Sequence, residues 1–146
     1  MIRLAQKRLF HTPVEQGFSV ITDVANWPAY WPGLVRVQAE SRWHAPGDQA
    51  RVVLRLLGRE VELTMTLREF IPNRLVTYES AQDGLPDARH ERHFRPGDGG
   101  FFYRIVIEYQ PRRGIRGLVD RTVVRRAIDR AAGQTMDNLE RLLRPD

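Results

Sequence analysis

The sequence predicts an α+β fold: seven antiparallel strands on one long C-terminal helix, with two short helices after the first strand, in the order β-αα-β6-α. Three observations carry this. Between residues 34 and 109 apolar and polar residues alternate with period two, interrupted by turn-forming Pro, Gly, Asn and Asp clusters. From 117 to 143 apolar residues recur every three or four positions, and no proline intervenes until Pro145. A sheet wet on one side has one apolar face and such a helix has one apolar stripe, so the two must meet.

The elements follow in order. Residues 2–10, IRLAQKRLF, read as a first strand with imperfect alternation. Thr12-Pro13-Val14-Glu15 marks a helix start, with Thr12 as cap, Pro13 at the first helical position and Glu15 completing a capping box. Val14, Phe18 and Ile21 give this helix a short buried face. In Asn26-Trp27-Pro28-Ala29-Tyr30-Trp31-Pro32-Gly33 two prolines leave room for only a turn or so of helix.

Six strands come next. Val35, Val37 and Ala39 alternate with Arg36, Gln38 and Glu40, and Pro46-Gly47-Asp48 turns the chain. Val52, Leu54 and Leu56 lead into a tight hairpin at Gly58, and Val61, Leu63, Met65 and Leu67 form the return strand. Pro72-Asn73 introduces a strand over 75–80, and Asp83-Gly84-Leu85-Pro86-Asp87 is a looser loop. Ala88, His90, Arg92 and Phe94 share one face of the next strand. After a turn cluster from Pro96 to Gly100, Tyr103, Ile105, Ile107 and Tyr109 complete the last. In the final helix Val124, Ile128, Ala131, Thr135, Leu139 and Leu142 fall on one face, widened by Ala127, Ala132, Met136 and Leu143. Asp137 with Arg141, and Glu140 with Arg144, are spaced as i, i+4 ion pairs.

At 146 residues the chain reads as one domain, 1–146. No apolar run approaches the ~20 residues of a membrane span, and no signal-peptide core follows Met1, so a cytoplasmic location is expected. The absence of Cys excludes disulfides, thiol catalysis and cysteine metal sites. The net charge is +5, and of 23 basic residues only Lys7 is lysine. Such a balance suits a nucleic acid or an anionic membrane, or reflects arginine-rich codons and a salted outer sheet face. There is no long basic run, and no DNA partner is expected.

His11, His44, His90 and His93 show no metal spacing, since His90 and His93 point to opposite faces of one strand. Ser19, Ser41 and Ser80 have no recognisable His/Asp setting, no glycine-rich phosphate loop is present, and no carboxylate pair stands out. Catalytic residues are therefore unassigned, and no metal or cofactor is expected.

The order β-αα-β6-α, with Asp23-Val24-x-Asn26-Trp27-Pro28, Arg92-x-Phe94-x-Pro96, Gly99-Gly100 and Asn138-Leu139-Glu140-Arg141-Leu142, resembles the START-like helix-grip (SRPBCC) superfamily over nearly the whole chain. It points to that group's polyketide cyclase/dehydrase-like and lipid-transport branch. The resemblance implies a curved sheet wrapped around the terminal helix, with a cavity between them that opens near the two short helices and takes hydrophobic ligands. Fold alone does not assign a reaction, because the superfamily holds enzymes, carriers and interaction domains. Its aromatic polyketide cyclases place an inward arginine on the strand after the tight hairpin, and often a tyrosine beyond the Trp-Pro segment. Aligned on Gly58-Arg59 and Trp27-Pro28, those positions here are Leu67 and Leu34, a departure from the cyclase pattern.

Taking the apolar alternation as inward, the pocket wall should include Leu54, Leu56, Leu63, Met65, Leu67, Tyr78, Ile105 and Ile107, with Trp27, Tyr30 and Trp31 near the mouth. His90 and Arg92 fall in the inward register, and Tyr78 and Tyr103 can add hydroxyls. Arg121, seven residues before Ile128, and Arg125 lie where the helix would line the cavity. An inward arginine needs a carboxylate, water or an anionic ligand group. For Arg92 the alternatives are a ligand's acidic end, or a carboxylate such as Glu79 or Glu108.

The expected function is binding of a small hydrophobic molecule (a lipid, quinone or polyketide-like compound) as carrier or sensor. An enzyme of the cyclase/dehydrase type acting on such a ligand is the alternative. A third reading is a protein- or ribosome-interaction module using the arginine-rich outer face, and a homodimer is left open.

Overall fold

Turn residues bracket each alternating run, so the runs become strands. The computed structural model describes residues 1–39, 42–82 and 84–144. The expectations for Glu40, Ser41, Asp83 and Pro145 lie outside the described residues. The strands are β1 (Ile2–Phe10), β2 (Leu34–Ala39), β3 (Gln49–Leu56), β4 (Arg59–Ile71), β5 (Leu75–Gln82), β6 (Ala88–Gly97) and β7 (Gly100–Tyr109). They form one antiparallel sheet in the order β1-β7-β6-β5-β4-β3-β2, a meander from β2 to β7 completed by β1 along β7.

Two-residue turns fix the register at both tight hairpins. Leu57 and Gly58 have φ of 52° and 74°, and Asp98 and Gly99 have 50° and 79°, the left-handed pair that matches strand twist. Gly100 is required for a different reason. A Cβ there would lie 1.8 Å from the Phe10 carbonyl oxygen, so only glycine lets β7 pass so close to the end of β1. One expected alternation fails. The β2–β3 register shifts between Leu34 and Arg36, and the irregularity turns Val35 outward, leaving it 42% exposed.

Helix α1 (Val14–Thr22) buries Val14, Gly17, Phe18 and Ile21 against the core. The expected capping box does not form: Pro13 occupies the cap position, and the Thr12 hydroxyl instead donates to the Leu143 carbonyl at 2.6 Å. Thr12 thus ties the entry of α1 to the end of the last helix. A single 3-10 turn (Val24–Asn26) leads into α2 (Trp27–Tyr30).

The C-terminal helix runs unbroken for 28 residues as α3 (Ile115–Val119), a π turn (Asp120–Val124) and α4 (Arg125–Leu142). Its inward residues are Gly117, Asp120, Val124, Ile128, Ala132, Met136, Leu139 and Leu143. From Asp120 to Met136 these sit four apart. Each four-residue step in an α-helix overshoots a full turn by about 40°, and the wider π turn absorbs the drift. Leu142 is 42% exposed, whereas Leu143, one position on, is 6% exposed and carries the stripe. The anticipated pairs along this helix are replaced by a contact between elements: Arg8 on β1 binds Asp137 at 2.7 Å and Glu140 at 3.1 Å, and Arg141 donates to Asn138.

Met136, Leu139 and Leu143 join Phe10, Phe18, Phe94, Phe101 and Tyr103 in one core cluster. The second half of the helix therefore seals one end of the sheet. Among the described residues no helix is long and apolar enough to cross a membrane.

Candidate functional site

A cavity of about 160 Å³ lies between the sheet and the C-terminal helix. Alternation on the strands sets its wall. Leu54, Leu56, Leu63, Met65, Tyr78, His90, Arg92, Tyr103, Ile105 and Ile107, all expected inward, line it, as do Trp27, Tyr30 and Trp31 from the α2 region. The helix contributes Val124, Ile128, Ala131, Ala132 and Thr135. Three expectations need correction. Leu67 points inward but is fully buried in the core and does not reach the cavity. Arg121 and Arg125 are exposed on the outer side of the helix. Stepping back from Ile128 by a regular α-helical period places Arg121 on the stripe, but the π turn gives the inward positions to Asp120 and Val124.

The polar groups gather on β5 and β6. Pairing of Tyr78 with His90 and of Val76 with Arg92 brings Tyr78, Ser80, His90 and Arg92 to one corner. Arg92 Nη2 donates to the Tyr78 hydroxyl at 2.8 Å and Nη1 to the Glu91 carbonyl at 3.2 Å. These use two of the five guanidinium N–H groups. Neither anticipated carboxylate reaches it: Glu79 pairs with Arg68 at 2.9 Å and Glu108 with Arg3 at 3.4 Å, both on the outer face of the sheet. Among the described residues Arg92 has no acidic partner. Burial opposes its charge, but the phenols of Tyr78, Tyr103 and Tyr30 outweigh burial and raise its pKa, so it stays cationic. Burial likewise raises the Tyr30, Tyr78 and Tyr103 hydroxyls, which remain protonated donors.

His90 stacks on Tyr78 with ring centroids 4.4 Å apart and an interplanar angle of 6°. Its Nε2 meets the Ser80 hydroxyl at 2.8 Å, while Nδ1 is buried without a partner. Burial, with the Arg92 charge second, holds its pKa well below the usual histidine value, so the ring is neutral near pH 7. The Ser80–His90 contact went unseen in the sequence because it exists only across the β5–β6 pairing. Pairing the two strands around the 83–87 loop is the signal that would have revealed it.

Trp43 was also missed. It is 4% exposed and stands between Trp27 and Tyr78, with ring centroids 5.1 Å and 5.3 Å away, its indole N–H on the Asp48 carbonyl. With Trp31 beyond Trp27 at 5.5 Å, a chain of edge-to-face rings runs from α2 to the Tyr78–His90 stack. Its signal was a tryptophan three residues before the Pro46-Gly47-Asp48 turn.

A curved antiparallel sheet holding a long helix, with a lined cavity between them, defines the START-like helix-grip class. A protein of Chromobacterium violaceum shares the fold with a TM-score of 0.78 at 18% identity over 100% of both chains. A Thermus thermophilus protein matches at 0.81 and 16%, over 96% of this chain and 95% of its own. A START superfamily protein of Mycobacterium smegmatis matches at 0.77 and 11%, over 97% and 96%. At these identities the likeness is one of fold. No curated protein matches the chain. The model of the family described as polyketide cyclase / dehydrase and lipid transport matches residues 1–144, and the chain belongs to that family.

Proposed function

We propose that the protein binds a small, mostly apolar molecule with an acidic or enolic oxygen at one end, acting as carrier or sensor for a lipid, quinone or polyketide-like compound. One observation carries this reading: the Arg92 guanidinium opens onto an apolar cavity and has no carboxylate partner among the described residues. A cation lining such a cavity favours an anionic or polar group in it, because the apolar walls do not compensate its charge. The cavity volume is close to the ~150 Å³ that accommodates a benzene-sized group, so the apolar body fits at most partly within it.

Binding of a fatty acid and of the alcohol of equal chain length tests the reading. Arg92→Leu should weaken the acid by about ten- to a hundredfold, the worth of a hydrogen bond to a charged group, and leave the alcohol unchanged. Arg121→Leu, on the outer surface, should change neither. Equal affinity of Arg92→Leu and wild type for the acid overturns the proposal.

The enzymatic reading is favoured by one further observation, the neutral His90 with a free Nδ1 beside Arg92. In the tautomer whose Nε2–H donates to Ser80, Nδ1 is the basic nitrogen and can take a proton from a carbon acid whose developing oxyanion Arg92 would hold. Incubation with a linear polyketone and analysis for cyclised or dehydrated product separates this from carriage, in which the compound is returned unchanged.

A further inference from the structure

The start of the C-terminal helix presents an apolar surface that the cavity does not use. Ile115 is 84% exposed, Leu118 63%, Val119 39% and Val123 47%. Their spacing of i, i+3, i+4 and i+8 puts them on one side, while Gly117, Asp120 and Val124 turn inward. Four neighbouring aliphatic side chains held in water on a structured helix mark a contact surface.

The surroundings are basic. Residues 112–130 contain seven arginines and two aspartates, an excess of five that equals the net charge of +5 of the whole chain. The Asp120 carboxylate is spent on Arg112, and Asp129 accepts from Gln6. Arg113, Arg116, Arg121, Arg125, Arg126 and Arg130 are all exposed.

We propose that this face docks on an anionic lipid bilayer, with the aliphatic stripe entering the headgroup boundary and the arginines holding lipid phosphates around it. An apolar stripe flanked by cations on one helix suits that interface, since each side meets its complement at the same depth. A second copy of the chain fits poorly, because pairing two such faces brings their arginines together. Nucleic acid would satisfy the arginines but leave the aliphatics in water, and the segment has no aromatic residue for base stacking.

The position relative to the cavity gives the docking a use. Val124 and Ile128, directly after the stripe, line the cavity, as do Leu85 and Pro86. Arg112 Nη1 bonds the Gly84 carbonyl at 2.7 Å, fastening the helix start to that loop. A bilayer on the stripe would lie beside the elements that bound the cavity. The inference does not depend on what the cavity binds.

Flotation of the full chain with phosphatidylcholine vesicles containing about a third phosphatidylglycerol, and with phosphatidylcholine alone, tests it. Wild type should float with the anionic vesicles, less so as salt rises, and not with the neutral ones. Ile115→Ser with Leu118→Ser should lower the bound fraction at least tenfold at every salt concentration. Arg113→Gln with Arg116→Gln should lower it at low salt and flatten the salt dependence. All substituted positions are exposed, and equal thermal midpoints verify folding. Three results would overturn the proposal: no flotation of wild type, equal flotation of the serine variant, or a dimer by light scattering that only the serine variant abolishes.

Discussion

Two partly buried arginines are held under opposite terms. Arg112 meets a carboxylate: its Nε and Nη2 grip Asp120 at 3.0 Å and 2.8 Å, and its backbone N–H adds a third bond at 2.8 Å. Asp120 is wholly buried at the π turn, and its backbone carbonyl accepts from Tyr109 at 2.6 Å. Arg92 meets phenols and a backbone carbonyl, then open space. A buried charge whose hydrogen bonds close on themselves serves the fold. One whose bonds stay open places stored demand where a ligand can meet it. The contrast assigns Arg112 to architecture and Arg92 to recognition.

The largest effect should come from breaking the closed pair. Arg112→Ala strands the buried Asp120 carboxylate and should cost about 3 kcal/mol in a denaturant titration, kept to the low end by the partial exposure of the guanidinium. Arg92→Leu should shift stability by less than ~1 kcal/mol, or raise it, since no anion is left behind. If the two variants cost the same, the distinction fails.

Acid sharpens it next. The Asp120 pKa is lowered, chiefly by its hydrogen bond to Arg112, so its contribution is present above the ordinary carboxylate range and is lost as pH falls through the lowered value. The His90 pKa is lowered too, by burial, so the unfolded chain takes up a proton below about pH 6.5 that the folded one refuses. Stability should therefore begin to fall near pH 6.5, by up to ~1.4 kcal/mol per pH unit for that proton. His90→Gln should delay the decline to the carboxylate range. An unaltered pH profile in that variant means His90 is not held neutral.

Smaller effects follow. Tyr78→Phe removes one hydrogen bond from Arg92 and should weaken acid binding by roughly five- to tenfold, about 1 kcal/mol, in a calorimetric titration. Arg68→Ala breaks an exposed pair with Glu79, each side chain 54% accessible, and should cost no more than ~0.5 kcal/mol. A larger loss there would show that outer pairs matter as much as the buried one.

The sheet was legible because alternation needs only neighbouring letters. Ala88, His90, Arg92 and Phe94 could be assigned a common face from their spacing, and the tight turns at Gly58 and Gly99 from their residues. Arg121 and Arg125 were misplaced for want of a local mark: a π turn has no sequence signature as plain as a proline. The purpose of Asp120 depends on Arg112, eight positions away on the segment between β7 and the helix. The anticipated partners Glu79 and Glu108 were candidates by composition, yet strand alternation sends both to the face opposite Arg92. Ser80 acquires meaning only through His90 on the next strand and Trp43 only through rings on α2 and β5, information that periodicity does not contain.

The four-residue spacing of the C-terminal helix, with one π turn absorbing its drift, also sets where its length can change. Deleting one residue within 121–123 would convert the π turn to regular α-helix and leave Asp120 seven residues before Ile128, about two regular turns, so that both stay on one face. Deleting one within 129–131, in the regular helix beyond it, would instead rotate the preceding part of the helix by about 100° relative to Met136 and Leu139, taking Asp120 from Arg112 and turning the stripe from Ile115 to Val123 to a new bearing. Surface loops in this chain can gain or lose a residue at small cost. Between Val124 and Met136 the chain has to be counted.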